Sequence, residues 1–261
     1  MVRQTRGRHT RRRTKRTRRQ RGGTTDAQIK ELLTRYFPTF HRYVHERKVY
    51  LFCNPSEHAG MDLDTNPAHE WEEPPIHFEI IPYKRSHKMM LYSLRQCPGH
   101  SGTSILQRII AIGQALSLDS IELEDLSMVG CDYPLYTLSI LRHGVSWYHR
   151  MGFRSEDDEA EKEVYQAIRT LLFKKFVPIM FRAYGKDTST VYTPHEMRAY
   201  LTQWYEAFPE TKEKTVAQVV QMIPWKNMDC DDPRSILLRN FLLMAKSALP
   251  YEPYVTLDLR S

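Results

Sequence analysis

The 261-residue sequence has no run of about 18 apolar residues, so nothing in it reads as a membrane-spanning helix. Its start has no apolar stretch that could serve as a secretory core; it is rich in arginine instead. Acidic residues are missing altogether from residues 1–21. The four cysteines (Cys53, Cys97, Cys131 and Cys230) make no CxxC pair. That spacing points neither to a disulfide framework nor to a zinc ribbon, and it suits a reducing compartment. The eleven histidines form no HExxH or HxH set. Cys97 and His100 share one turn without further ligands, so no metal is expected. Gly144-Val-Ser146-Trp-Tyr lacks the second glycine of a nucleophile elbow, which argues against a serine hydrolase. No internal repeat is visible.

What remains is ordinary for a globular chain, with 41% hydrophobic and 26% charged residues. The net charge of +7 is unevenly spread. Eleven of the 38 Lys and Arg lie in residues 3–21, leaving 27 against 31 acidic residues, a net of −4. A mildly acidic globule therefore carries a strongly basic segment. Residues 1–23 have too few apolar side chains to bury and are expected to be disordered when free. Non-specific contact with nucleic acid through residues 3–21 is the expected use, since phosphate contacts carry no base information. A nuclear import signal and a solubility tail are the alternatives.

The chain is organised around Lys88–Phe153. Lys88-Met-Met-Leu-Tyr-Ser-Leu94 reads as an apolar strand, and Gln96-Cys-Pro-Gly-His-Ser-Gly-Thr103 as a turn that cannot continue it. Ile105, Ile109, Ile112 and Leu116 then recur at helical spacing over Ser104–Ser117. Ser120-Ile-Glu-Leu-Glu-Asp-Leu126 alternates like a strand. Leu138, Leu141, Val145 and Tyr148 predict one helix over Leu135–Met151, stopped by Gly152-Phe153. A glycine turn between a strand's end and a helix's start presents backbone N–H groups at a positive helix terminus, suited to phosphate.

Two motifs give this stretch a resemblance to the GCN5-related N-acetyltransferase (GNAT) family. Gln96-x-x-Gly99-x-Ser101-Gly102-Thr103 is similar to the family's pyrophosphate loop. Its register is open, because Gly102-Thr-Ser-Ile-Leu106 also fits a longer loop. Tyr148-His-Arg-Met-Gly152-Phe153 matches the family's Tyr-x-x-x-Gly-Phe. The resemblance covers about a quarter of the chain. It implies acetyl-CoA as cofactor, with Leu94, Gln96, Gly99, Ser101, Gly102, Thr103 and Ser127 around it. It also implies Tyr148 as the acid that protonates the leaving thiolate, and a strand carboxylate, Glu122 or Glu124, as base, with Glu79 a further candidate. The Arg/Thr-rich start resembles those of large-DNA-virus proteins.

Upstream, Thr25-Asp-Ala-Gln28 signals a helix start, with an amphipathic helix over Ile29–Phe40. Lys48–Asn54 and Ile76–Ile81 read as strands, 55–75 as a polar loop, and Tyr83–His87 as a hairpin connection. Downstream, 157–249 is largely helical, with a segment over Glu159–Tyr184 broken near Pro178. Further helices are expected from Thr193 to Ala207, over Thr211–Met222 and from Asp232 to Ala248, before a last strand at Tyr254–Leu259.

The expected fold is thus α/β (α+β by some schemes). A GNAT-like mixed sheet flanked by helices occupies 24–156, a helical insertion or extension 157–249, and a closing strand 250–261. The function expected from the resemblance is transfer of acetyl from acetyl-CoA to a primary amine. The alternative is a catalytically inactive GNAT-fold binding protein, tethered to nucleic acid or a virion interior by the basic segment. Acids at 57–73 favour a cationic acceptor of the lysine or polyamine type. The expected location is intracellular: cytoplasm, nucleus or virion.

Overall fold

The computed structural model describes residues 24–53, 76–82, 87–94, 97–125, 127–250 and 254–260. The basic segment 1–23, the loop 55–75, the connection 83–86 and Gln96 lie outside the described residues.

Helix α1, Asp26–Tyr36, starts on a capping box. The Thr25 hydroxyl accepts from the Gln28 amide, and the Gln28 side chain accepts from the Thr25 amide. The next element is a strand rather than more helix: β1, His41–His45, pairs antiparallel with β2, Lys48–Phe52. They meet through Glu46-Arg47, both at positive φ, as a two-residue hairpin requires. The Asp26 carboxylate accepts from both turn amides, at 3.1 and 2.9 Å, which offsets the cost of holding two non-glycine residues there.

The sheet continues through β3, Ile76–Pro82, and β4, His87–Leu94, in an antiparallel meander. Helix α2, Gly102–Ala115, carries the chain over to β5, Ser120–Glu124, which lies parallel to β4. Strand β8, Tyr254–Asp258, then closes the six-stranded mixed sheet antiparallel to β5, in the order β1-β2-β3-β4-β5-β8. The protein is therefore an α+β fold with a mixed sheet flanked by helices. Ile105, Leu106, Ile109 and Ile112 of α2 are buried. Gly113 lets the helix approach closely, since a Cβ there would sit 2.8 Å from Leu259 and 3.4 Å from Ile121.

After β5 a small ribbon, β6 (Met128–Val129) with β7 (Tyr133–Pro134), precedes α3, Leu135–His143. The helix expected over 135–151 is broken. Gly144 adopts φ +84 and ends α3, and Ser146 caps a new short turn, α4, Trp147–Arg150. Helical spacing alone cannot register a left-handed residue between two in-phase segments.

The remaining helices are α5 (Asp158–Thr170), α6 (Phe173–Thr188), α7 (Pro194–Ala207), α8 (Val216–Met222) and α9 (Pro233–Lys246). The break expected at Pro178 falls instead at Leu171-Leu172, which are extended, while Pro178 lies inside α6. Helix α7 starts as its sequence predicts, with Thr193 and Glu196 closing a capping box around Pro194.

Two apolar cores result. One joins the sheet to α1 and α2 and is mainly aliphatic; the other binds α3 and α5–α9 around Trp204, Phe173, Phe176 and Phe241. Among the described residues no helix is long and apolar enough to cross a membrane.

The cysteines depart from expectation: all four are paired. Cys53 bonds Cys97, with Cα atoms 5.5 Å apart, and Cys131 bonds Cys230 at 5.0 Å. Their separations of 44 and 99 residues leave no local signature for spacing to reveal. Disulfides persist in oxidising surroundings, so the pairing removes the cysteine argument for a reducing compartment.

Candidate active site at the open end of the sheet

The ladder between β4 and β5 ends at Leu91–Leu123, although β4 runs on to Leu94. The last residues of β4 stay paired to β3 alone, with Ser93 opposite His77 and Leu94 opposite Ile76. A parallel pair that stops early leaves a fork, with one flank of β4 lacking its sheet neighbour. Three features of the chain meet around this fork.

The first is the turn before α2. His100 donates its amide to the Cys97 carbonyl at 3.0 Å, and Gly99 adopts φ +76. Proline then glycine at the two central positions is the chemistry of a type II turn. Nothing lies within 4 Å of where a Gly99 Cβ would stand, so the backbone angle, not crowding, demands glycine. Ser101 caps α2, its hydroxyl accepting from the Ser104 amide at 3.1 Å. Gly102 and Thr103 follow as the first two helical residues, whose amides no helix can satisfy internally. The first turn holds no acid. Phe40 packs on His100 with ring centroids 4.9 Å apart, and the Cys53–Cys97 bond ties the turn to the end of β2.

The second feature is Tyr148. It is buried on α4 between Trp147 and Phe153, and its hydroxyl lies 3.0 Å from the Ser127 hydroxyl. Burial raises its pKa far above the usual phenol range, with Asp125 adding to the shift and Ser127 opposing it. The phenol therefore stays protonated at any physiological pH. Trp147 reaches the other way, to 3.9 Å from the Cβ position of Gly102, and so links this helix to the turn.

The third is Asp125, just past the end of β5 and 3% exposed. Burial raises its pKa to about 7; the Ser127 amide and hydroxyl facing it, and Lys246 at the end of α9, pull the other way. Either oxygen can donate in the Ser127–Tyr148 bond, and the Ser127 hydroxyl also faces Asp125. Asp125, Ser127 and Tyr148 thus form one polar chain in apolar surroundings.

The strand carboxylates are arranged differently. Alternation puts Glu122 and Glu124 on the face opposite Ile121 and Leu123. Glu122 is taken up by Lys88 at 2.5 Å across the β4–β5 pair, and Glu124 is exposed. Glu79 accepts from the Tyr92 hydroxyl at 3.3 Å on the same outer face. Among the described residues none of the three meets Tyr148 or Ser127 in a hydrogen bond or ion pair. Leu94, Gly99, Ser101, Gly102 and Thr103 are gathered between the end of β4 and the start of α2; Ser127 sits across the fork with Tyr148. Asp125, which the sequence analysis leaves out of its site, joins them. Its signal was one acid immediately after the alternation ends, where a strand face turns inward. Among the described residues no group of His, Cys, Asp or Glu could hold a metal ion.

No family model, no curated protein and no solved structure matches this chain.

Proposed function

We propose that the protein transfers an acetyl group from acetyl-CoA to a primary amine. The observation that carries this reading is the fork between β4 and β5. It has the start of α2 on one side and the Asp125–Ser127–Tyr148 chain on the other. The Gly102 and Thr103 amides, with the positive end of α2, would hold the pyrophosphate. The coenzyme supplies an activated acyl thioester. The amine nitrogen would bond to the acyl carbon as the carbon–sulfur bond breaks. One amine proton would pass to Asp125, whose pKa near 7 suits a general base, and Tyr148 would protonate the departing sulfur. A proton handed from Asp125 through the Ser127 hydroxyl would restore Tyr148. This favours Asp125 over Glu122, whose carboxylate is tied to Lys88.

The second reading, a binding protein that keeps the fold without catalysis, draws on the turn itself. Pro98 has no amide to give, and His100 spends its amide on Cys97, so the loop offers few donors to a pyrophosphate.

Calorimetry with acetyl-CoA on Thr103→Glu separates the two. A carboxylate in the first turn suits the helix dipole, so the fold is retained, yet it repels an anion. We expect at least tenfold weaker coenzyme binding than wild type, and for Tyr148→Phe unchanged binding with turnover reduced about 10²-fold or more. No acetyl-CoA binding by wild type at millimolar coenzyme would sink the enzymatic reading.

A further inference from the structure

A cleft of about 680 Å3 opens between α3–α4 and the segment from α8 to Trp225. It is separate from the fork, with Trp147 between them: this indole lies 3.9 Å from the Cβ position of Gly102 on one side and lines the cleft on the other. Arg142, His143, Arg150 and Lys226 line it together with Trp147 and Trp225, and no acidic residue does. Among the described residues none of the four cations makes an ion pair with a carboxylate. Arg150 instead reaches the Ser139 hydroxyl at 3.4 Å, and Arg142 shows no side-chain partner. Arg169, behind α3, gives its donors to the carbonyls of Leu141 and Arg142. His143 shows the consequence. Burial and then repulsion from Arg150, Arg142 and Arg169 lower its pKa, so the cluster repels a further positive charge.

The dipole of α3 explains why Arg142 and His143 end that helix, but a half-charge does not neutralise the two guanidinium groups and the lysine that line the cleft. Like charges held together without a counter-charge cost stability unless an anion offsets them. The volume falls within the usual range for a small-molecule site, and the walls combine cations with flat apolar rings. The arrangement is also fixed. Gln221 of α8 donates to the Arg142 carbonyl at 3.2 Å, pinning the two sides, and Lys226 lies over the Trp225 ring at 5.4 Å.

We propose that this cleft binds a nucleoside phosphate, the phosphate on Arg142, Arg150 and His143 and the base against the indoles. The site joins the helical half to the sheet half and does not depend on the acetyl-transfer reading. The phosphate end of a nucleotide-containing coenzyme and a free nucleotide share this chemistry, so the test separates them.

ADP is titrated into the full-length protein at fixed ionic strength, following tryptophan fluorescence. The basic segment is then present in every variant, and its non-specific binding is a constant background. We expect saturable quenching, weakened at least tenfold in Arg142→Glu/Arg150→Glu, retained in Arg142→Lys/Arg150→Lys, and unaffected by Thr103→Glu. Equal ADP affinity in wild type and the charge-reversed variant, with both folded by circular dichroism, would overturn the site. Loss of ADP binding in Thr103→Glu to the same degree would overturn its independence and make the cleft an extension of the fork. A wild type that takes ADP but no acetyl-CoA would leave this inference standing and remove only the enzymatic reading.

Discussion

The sheet half and the helical half bury comparable apolar cores with different side chains. Around α1, α2 and the sheet the filling is mostly Ile, Leu and Val, set by strand alternation and one helix face. In the helical half Trp204 stands at the centre of a ring cluster, 4.7 Å from Phe173, 4.9 Å from Phe208 and 5.1 Å from Phe241. Polar groups inside the two halves also differ. The indole N–H of Trp204 donates to Thr211, and Tyr165 donates to Glu161, so these groups are closed on each other. At the fork, burial leaves an acid with a pKa near 7 and a phenol that keeps its proton at physiological pH. Shifted groups alone do not mark a site, since burial also raises Tyr136, Tyr165 and Tyr200 in the helical half; a shifted acid beside a cleft is a candidate for chemistry.

Three measurements sharpen or break that contrast. The largest expected effect is Trp204→Ala, which opens a cavity in the ring cluster and removes the indole donor to Thr211. A loss of about 3–5 kcal/mol is expected from urea unfolding. A loss below about 1 kcal/mol would show that the helical half can repack without its centre.

Next is the Cys131–Cys230 link, which closes 99 residues, from just before α3 to just before α9. Replacing both with Ser should cost about 2–4 kcal/mol by the same unfolding measurement, mainly through the freer unfolded chain. The Cys53–Cys97 pair, closing 44 residues, should cost less when both are made Ser. The reverse order would mean that the fork depends on its bond more than the helices do on theirs.

The third measurement concerns pH. A carboxyl whose folded pKa is raised favours its protonated form in the native state. Native Asp125 therefore holds a proton between about pH 4 and 7 while the unfolded chain has lost it. Its contribution falls as pH rises through that window, by up to about 1.4 kcal/mol per unit, and levels off above 7. Asp125→Asn should flatten that part of the stability curve relative to wild type. Superimposable curves for the two proteins would mean that water relieves the buried carboxyl.

Much of the scaffold could be read from the sequence, because it rests on local rules. The alternation of Ile76–Ile81 and Ile121–Leu123, the spacing of Ile105, Ile109 and Ile112, and the capping boxes at Thr25 and Thr193 each name their element. Strand β1 escaped because His41–His45 alternates weakly, and its turn depends on Asp26, about twenty residues away. The split at Gly144 escaped because the two helices stay in phase across a left-handed glycine, and the pairing of the cysteines because their partners lie far along the chain. The site divided in the same way. The turn and Tyr148 could be picked out by spacing, whereas the role of Asp125 rests on burial. The groups that act on its charge, Ser127, Tyr136 and Lys246, come from the loop after β5, from α3 and from α9.

The return of β8 to the sheet has a temporal meaning. Strand β5 has β4 on one side, but its other edge is filled only by residues 254–258. During synthesis, at about 5–20 residues per second, roughly 130 residues must follow β5 before that edge can be covered, several seconds or more of waiting. An uncovered strand edge recruits other chains. The nascent protein must therefore keep Ser120–Glu124 from pairing with strangers until its last strand arrives.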